Sequence, residues 1–106
     1  MFFIIMYCII ITTCNEEDER KIIDSLLSSK VVACINSFDV KSTYIWKRKI
    51  EKEKEKMLVI KTKIEKYAEV EKKIKENHSY EVPEIICIEI KNGYDGYLKW
   101  IDSVIK

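Results

Sequence analysis

Glycine, proline and histidine are scarce in this 106-residue sequence, which contains two glycines, one proline and one histidine. Neither glycine belongs to a G-x-G-x-x-G or Walker A pattern, so both kinds of phosphate-binding loop are excluded. Net charge is also small, at +1, because 19 basic residues balance 18 acidic ones. This balance argues against a protein that binds nucleic acid or a membrane surface through excess positive charge.

The four cysteines lack the spacing of a common metal centre. They lie at positions 8, 14, 34 and 87, and no two of them form C-x-x-C, which excludes zinc-finger and iron–sulfur patterns. Cys8, Cys34 and Cys87 have Ile or Val close by in the sequence, which predicts buried, reduced thiols in strands. Reduced thiols are typical of a reducing compartment, and we expect a cytoplasmic protein.

The first 14 residues carry no charge and are mostly apolar. A signal peptide is one interpretation, but this run lacks the preceding basic segment and the following A-x-A site. It is too short for a spanning helix, so no membrane span is expected. We favour a buried strand over 7–12 after an apolar extension, 1–6, in which Met6 is an alternative native start. The length predicts a single domain, 1–106.

Hydrophobic periodicity and capping residues predict the other elements. Asn15 is a good N-cap for a helix over 15–29, and a second apolar stripe predicts a helix over 64–77. A bend is expected near Asn36 to Asp39, because Asn, Ser and Asp favour turns. Strands are predicted at 31–38, 42–46, 57–62 and 84–90, and a last helix is capped by Asp95.

Lysine and glutamate alternate strictly from Glu51 to Lys56. In an extended chain this places Glu on one face and Lys on the other, and we interpret the segment as a solvated arm of a long hairpin. The β-α-β-β-α-β-α order predicts an α+β fold, a ferredoxin-like split β-α-β sandwich with a long β-hairpin and an extra C-terminal helix. So small a chain would leave one apolar sheet face uncovered, so self-association is expected.

Five segments resemble, in order, those of a known family. They are V-A-C-I-N at 32–36, V-K-S-T-Y-I-W at 40–46, V-I-K-T at 59–62, H-S-Y-E-V-P-E at 78–84 and Y-L-K-W at 97–100. Together they are similar to the CutA divalent-cation tolerance family. The resemblance implies a homotrimer like that of PII signalling proteins, and binding of copper and other divalent ions. Two residues depart from the family pattern: Arg48 replaces a glycine of the hairpin, and Ser79 replaces the proline that follows the histidine.

The resemblance also implies where a metal would bind. Copper-binding members combine a first-strand cysteine with one or two connector histidines. Here Thr12 aligns with that cysteine, Cys14 is the nearby thiol, and Asn77 replaces the first histidine of the pair. We therefore expect His78 and Cys14 to bind a divalent metal such as Cu(II), which accepts imidazole and thiolate and is not obligatory for folding. The position of Cys14 before a helix should lower its pKa.

Aromatic residues predict an interface. Tyr44, Trp46, Tyr80 and Glu84 are expected at a trimer interface or cleft, because aromatic side chains are enriched at interfaces. Two functions stay open: a trimeric divalent-cation-binding protein involved in metal tolerance, and a PII-like regulatory or scaffold module that binds a small ligand or partner protein at inter-subunit clefts. No enzyme is expected, since neither a Ser-His-Asp nor a Cys-His arrangement is supported.

Overall fold

The computed structural model describes residues 4–106, so residues 1–3 of the predicted extension lie outside the described part of the chain. Met6 of that extension is tied to the fold, because its carbonyl accepts a hydrogen bond from the Ile64 N–H at 2.8 Å. The elements are β1 (Tyr7–Cys14), α1 (Glu16–Ser28), β2 (Cys34–Trp46), β3 (Lys49–Lys63), a 3₁₀ turn (Ile64–Lys66), α2 (Tyr67–Glu76), β4 (Ile85–Glu89) and α3 (Asp95–Val104).

The four strands form one antiparallel sheet in the order β2-β3-β1-β4. This order, with a helix between β1 and β2 and another between β3 and β4, confirms the predicted ferredoxin-like fold. The helices α1 and α2 cover one face of the sheet. The core between them consists mainly of Cys8, Ile10, Ile22, Leu26, Leu58, Ile60, Val70 and Ile74.

The opposite face of the sheet, which we call the open face, is apolar along its centre. It carries Ile9, Ile11, Phe38, Met57, Val59, Ile86 and Ile88, whose shared face follows from the strand register. Phe38 and Ile88 are each 48% exposed. The helix α3 packs at one end of this face, where Asp102 forms an ion pair with Lys63 at 2.8 Å. In the single chain Phe38, Ile86 and Ile88 stay exposed, and the other four residues of this face are half-buried.

The hairpin of β2 and β3 is longer and more regular than predicted. Its ladder runs without a break from the pair Cys34–Lys61 to the pair Trp46–Lys49. The bend expected at Asn36 to Asp39 is therefore wrong: strand pairing overrides the turn preference of polar side chains that remain exposed. The two turn residues, Lys47 and Arg48, both have positive φ, at 49° and 68°.

Of the two predicted helix caps, one is confirmed and the other is wrong. The Asn15 side chain accepts the Asp18 N–H at 2.8 Å, which confirms the predicted N-cap of α1. The predicted cap at Asp95 is wrong, because α3 has Tyr94 as its N-cap and Asp95 instead pairs with Lys99 at 2.9 Å. On α3, Ile101 is fully buried, whereas Val104 is 38% exposed.

The cysteines do not all occupy the expected environments. Cys8 is buried as predicted, Cys34 is half-buried, and Cys87 is exposed because it lies on the edge strand β4. Cys14 is fully buried, since β1 continues two residues beyond its predicted end.

Candidate functional site

A connector, residues 77–84, joins α2 to β4 and packs against the end of β1. The His78 ring is fully buried, and its Nε2 lies 2.7 Å from the Thr13 carbonyl oxygen. A carbonyl can only accept, so Nε2 carries the ring proton. The Tyr80 N–H donates to the other ring nitrogen, Nδ1, at 3.2 Å. Both nitrogens are thus engaged, and the tautomer is fixed by its partners.

The buried carboxylate of Asp18 holds the same connector from the side of α1. Ser79 donates both its backbone N–H and its hydroxyl to Asp18 Oδ2, and the side-chain amide of Asn15 donates to the Ser79 hydroxyl oxygen. Burial of Asp18 raises its pKa, but the two Ser79 hydrogen bonds outweigh that effect, so the pKa is lowered. A proline at position 79, as in the family pattern, could not donate the backbone hydrogen bond.

The pKa of the Cys14 thiol is shifted in the direction opposite to the prediction. Burial and the nearby carboxylates of Glu19, Asp18 and Glu55 together raise its pKa to about 11, against an opposing effect of Lys56. The expectation that the helix N-terminus lowers this pKa is therefore wrong, because α1 begins with four acidic residues and the thiol is removed from water. At neutral pH Cys14 is a protonated thiol.

His78 and Cys14 are brought close in the chain, but they do not form a complete site. The imidazole binds the carbonyl of Thr13, the residue before Cys14, and its Nδ1 lies 3.9 Å from Asp18 Oδ2. Imidazole, thiol and carboxylate groups thus gather at the junction of β1 and α1. Within residues 4–106, no three His, Cys, Asp or Glu side chains are arranged to hold a metal ion.

The four residues predicted at an interface or cleft lie together. Tyr44, Trp46, Tyr80 and Glu84 line one cleft of about 820 Å³ between the hairpin and the connector. The cleft also contains three glutamates from alternate positions of β3, namely Glu51, Glu53 and Glu55. Aromatic rings and carboxylates therefore share one concave surface.

Glu55 is the most buried of these carboxylates, at 7% exposed. It accepts a hydrogen bond from the Tyr80 hydroxyl at 2.7 Å, and no lysine or arginine among residues 4–106 forms an ion pair with it. Burial, followed by this hydrogen bond and the Glu55 charge, raises the pKa of Tyr80. Burial and the neighbouring Glu53 likewise raise the pKa of Tyr44. The cleft is thus strongly acidic.

The sequence interpretation missed the glutamates as site residues, although their signal was present. Strict Lys/Glu alternation predicted a face of carboxylates, and the register confirms it by placing Glu51, Glu53 and Glu55 opposite Tyr44, Ser42 and Val40. The sequence pattern alone predicts that this face is solvated. What the alternation does not reveal is that the connector folds over it and forms a wall with Tyr80, Pro83 and Glu84.

Comparison with known proteins assigns the family. The model of the CutA1 divalent ion tolerance protein family matches residues 7–104. The chain belongs to this family. The divalent-cation tolerance protein CutA of Archaeoglobus fulgidus is 40% identical over 98 residues, which cover 92% of this chain and 96% of that protein. A chloroplastic CutA of Arabidopsis thaliana is 33% identical over 94 residues, and the chain spans about half its length, 52%.

Solved CutA structures support the fold throughout the chain. The structure of the CutA protein from Archaeoglobus fulgidus, described as periplasmic, has a TM-score of 0.92 at 38% identity and covers 95% of this chain and 100% of its own. CutA1 from Oryza sativa has a TM-score of 0.91 at 31% identity, with 96% and 95% covered. The described helices include none with the length and apolar character needed to cross a membrane.

Proposed function

We propose that this CutA chain is a homotrimeric protein that binds a divalent cation, with Cu(II) as the representative ion, and acts in metal tolerance. Membership of the divalent ion tolerance family supports the general role. The observation that carries the proposed site is the convergence at the end of β1. There the buried imidazole of His78, bonded next to Cys14, has its Nδ1 3.9 Å from the Asp18 carboxylate.

Metal binding at this junction requires two local changes. The Nδ1 lone pair of His78 must exchange the 3.2 Å hydrogen bond from the Tyr80 N–H for the metal. The Cys14 thiol, with its pKa raised to about 11, must release a proton. Because only the thiolate is a good ligand, affinity should rise with pH and be modest at neutral pH.

Assembly into a trimer would cover the open face and complete the metal coordination. Exposed apolar surface of this kind is typical of an association surface, and a trimer brings three copies of each donor together. Tyr44 and Trp46 on the hairpin would then contribute to the contacts between neighbouring subunits, as aromatic residues commonly do.

Isothermal titration of the full chain with Cu(II) tests the site. Wild-type protein should bind the ion, and His78→Ala and Cys14→Ala should each bind it more weakly. Cys34→Ala is the matched control, since it removes a thiol on the opposite sheet face. Unchanged affinity in both site variants would eliminate His78 and Cys14 as ligands.

The acidic cleft favours a second candidate function, a PII-like module that binds a small cationic ligand. The specific observation is the buried carboxylate of Glu55 beside aromatic rings in a cavity of small-molecule size. A diamine such as 1,4-diaminobutane is a suitable probe. Binding that is lost in Glu53→Gln and kept in Glu89→Gln, which lies on β4 outside the cleft, would support this function. Equal binding by both variants would contradict it.

For the cellular location, we propose the cytoplasm. The four cysteines are free thiols, which is typical of reducing compartments. Fractionation of native cells should recover the chain with cytoplasmic markers, and enrichment in an oxidising compartment would contradict the proposal.

A further inference from the structure

Two cysteines face each other across neighbouring strands, far from the proposed Cu(II) junction. In the β1–β4 ladder Cys8 pairs with Glu89, and Cys87 pairs with Ile10. Residues two apart on a strand share a face, so Cys8 and Cys87 are diagonal neighbours on the face covered by the helices. Cys8 and Cys14 lie at opposite ends of β1, about 20 Å apart at about 3.3 Å per residue.

The two thiols interact directly, and their exposure is unequal. Cys8 is 0% exposed, whereas Cys87 is on the edge strand and is open to solvent. Burial, followed by hydrogen bonding to Cys87 and the Cys87 charge, raises the pKa of Cys8 to about 12. An incoming ion can therefore reach Cys87 directly from solvent. It can reach the buried Cys8 only by way of Cys87.

The diagonal geometry suits a bridging atom better than a disulfide. Diagonal neighbours of an antiparallel pair have Cα atoms about 7–8 Å apart. A disulfide usually requires a Cα separation below about 6.8 Å. A metal ion placed between the sulfurs forms two bonds of about 2.3 Å each, so it bridges sulfurs about 4.6 Å apart. The strands can then keep their register.

The geometry points to a second metal site in this chain, in which Cys8 and Cys87 bind one soft divalent cation of the Hg(II) class as a linear bis-thiolate. Thiolates select soft ions. Each thiol releases one proton as its sulfur–metal bond forms, so a dication and two thiols give a neutral complex and two protons. A neutral complex suits Cys8, because charge is costly to bury away from water.

Within residues 4–106, no lysine or arginine contributes to the shifted pKa of Cys8. Tyr67 of α2 faces Cys87, and the Cys87 charge contributes to the raised pKa of this tyrosine. The Tyr67 hydroxyl donates to the Glu71 carboxylate at 2.7 Å, so the charged group that this tyrosine contacts on the helix is negative. Lys75 lies beyond that carboxylate, 3.6 Å from Glu71, at the surface. A monovalent ion would leave one net negative charge beside Glu71, whereas a divalent ion leaves none.

The test uses the full-length protein, reduced and loaded with one equivalent of Hg(II) per chain. The loaded protein is dialysed against excess glutathione, a monothiol that removes the ion from single cysteines. Wild-type protein should retain one ion per chain. Cys87→Ser and Cys8→Ala should retain it about 100-fold more weakly or lose it, since the second tethered ligand is gone. Cys34→Ala, which removes a thiol on the other face, should behave as wild type.

The outcomes separate this site from the alternatives. X-ray absorption of the loaded wild type should show two sulfur neighbours at the metal, and Cys87→Ser should show the loss of one. Retention of Hg(II) by Cys87→Ser as strong as by wild type would overturn the site, as would a Cys8–Cys87 disulfide that forms in place of metal binding. Because Cys87 is exposed, Cys87→Ser should keep the fold, and its circular dichroism spectrum checks this. The result is independent of the Cu(II) titration, which concerns His78 and Cys14.

Discussion

Ser79 donates two hydrogen bonds to one oxygen of Asp18, from its backbone N–H at 2.8 Å and from its hydroxyl at 2.6 Å. Asp18 is 4% exposed and no lysine or arginine among residues 4–106 pairs with it, so these bonds are its main compensation for burial. The residue that departs from the family's proline thus fastens the connector to α1 and orients His78 beside it.

Removal of these bonds should destabilise the fold in two steps. Ser79→Ala loses the hydroxyl and should lower the free energy of unfolding by about 1–2 kcal/mol, since hydrogen bonds to charged groups are among the stronger ones. Ser79→Pro also loses the N–H and should cost more. Urea denaturation at one fixed protein concentration measures both. Equal stability of Ser79→Ala and wild type would show that the Asp18 contact contributes nothing.

Asp18 should also shape the acid side of the stability profile. Its pKa is lowered in the folded protein, so its contribution is fully present above the unfolded value of about 3.9 and is lost as pH falls through the folded pKa. Wild-type protein should therefore lose stability below about pH 4, and Asp18→Asn should show a shallower loss there. Parallel profiles from pH 5 to the acid limit would contradict this assignment.

Thr12 and Thr62 are buried threonines on adjacent strands, and their hydroxyl groups differ in hydrogen bonding. The Thr62 hydroxyl donates to the Val31 carbonyl at 2.6 Å, whereas the Thr12 hydroxyl has no partner within residues 4–106. Thr12→Val should therefore raise the free energy of unfolding by about 1 kcal/mol, since it removes an unsatisfied buried hydroxyl. Thr62→Val is the matched control and should lower it by a similar amount. Thermal denaturation measures both variants. A change in stability of the same sign in both would contradict the difference between the two hydroxyls.

Arg48 should be a site where glycine stabilises the hairpin. Its φ of 68°, beside that of Lys47 at 49°, is typical of a two-residue type I′ turn, in which side chains other than Asn, Asp and Gly are disfavoured. Arg48→Gly should raise the free energy of unfolding by about 1 kcal/mol. Lys52→Gly, within the exposed part of β3, is the control and should lower it, because glycine weakens strands. A loss of stability in Arg48→Gly would indicate that the turn does not carry this strain.

The predictable part of this fold is the part governed by local patterns. The order of elements, the Asn15 cap and the Lys/Glu faces follow from propensity and periodicity, and the structure confirms them. The bend at Asn36 failed because the preference of a few polar residues is weaker than a 13-residue ladder. Local signals do not report the balance between turn preference and long-range pairing.

The site was less predictable because its properties arise from contacts distant in sequence. Tyr80 and Glu55 are 25 positions apart, and His78 reaches Thr13 across 65 positions. The pKa of Cys14 was predicted with the wrong sign, since the helix N-terminus was considered without its own acidic residues and without burial. Motif spacing identifies donors, whereas burial and neighbouring charges determine their protonation.

The proposed metal-binding function depends on assembly through the open face, and the mass of the protein in solution tests this most directly. Multi-angle light scattering of wild-type protein should give three times the 12.6 kDa chain mass. Ile88→Asp places a charge on the open face and should shift the mass toward a single chain, whereas Leu27→Asp, on the outer surface of α1, should leave the trimer intact. A single-chain mass for wild-type protein at micromolar concentration would contradict the account.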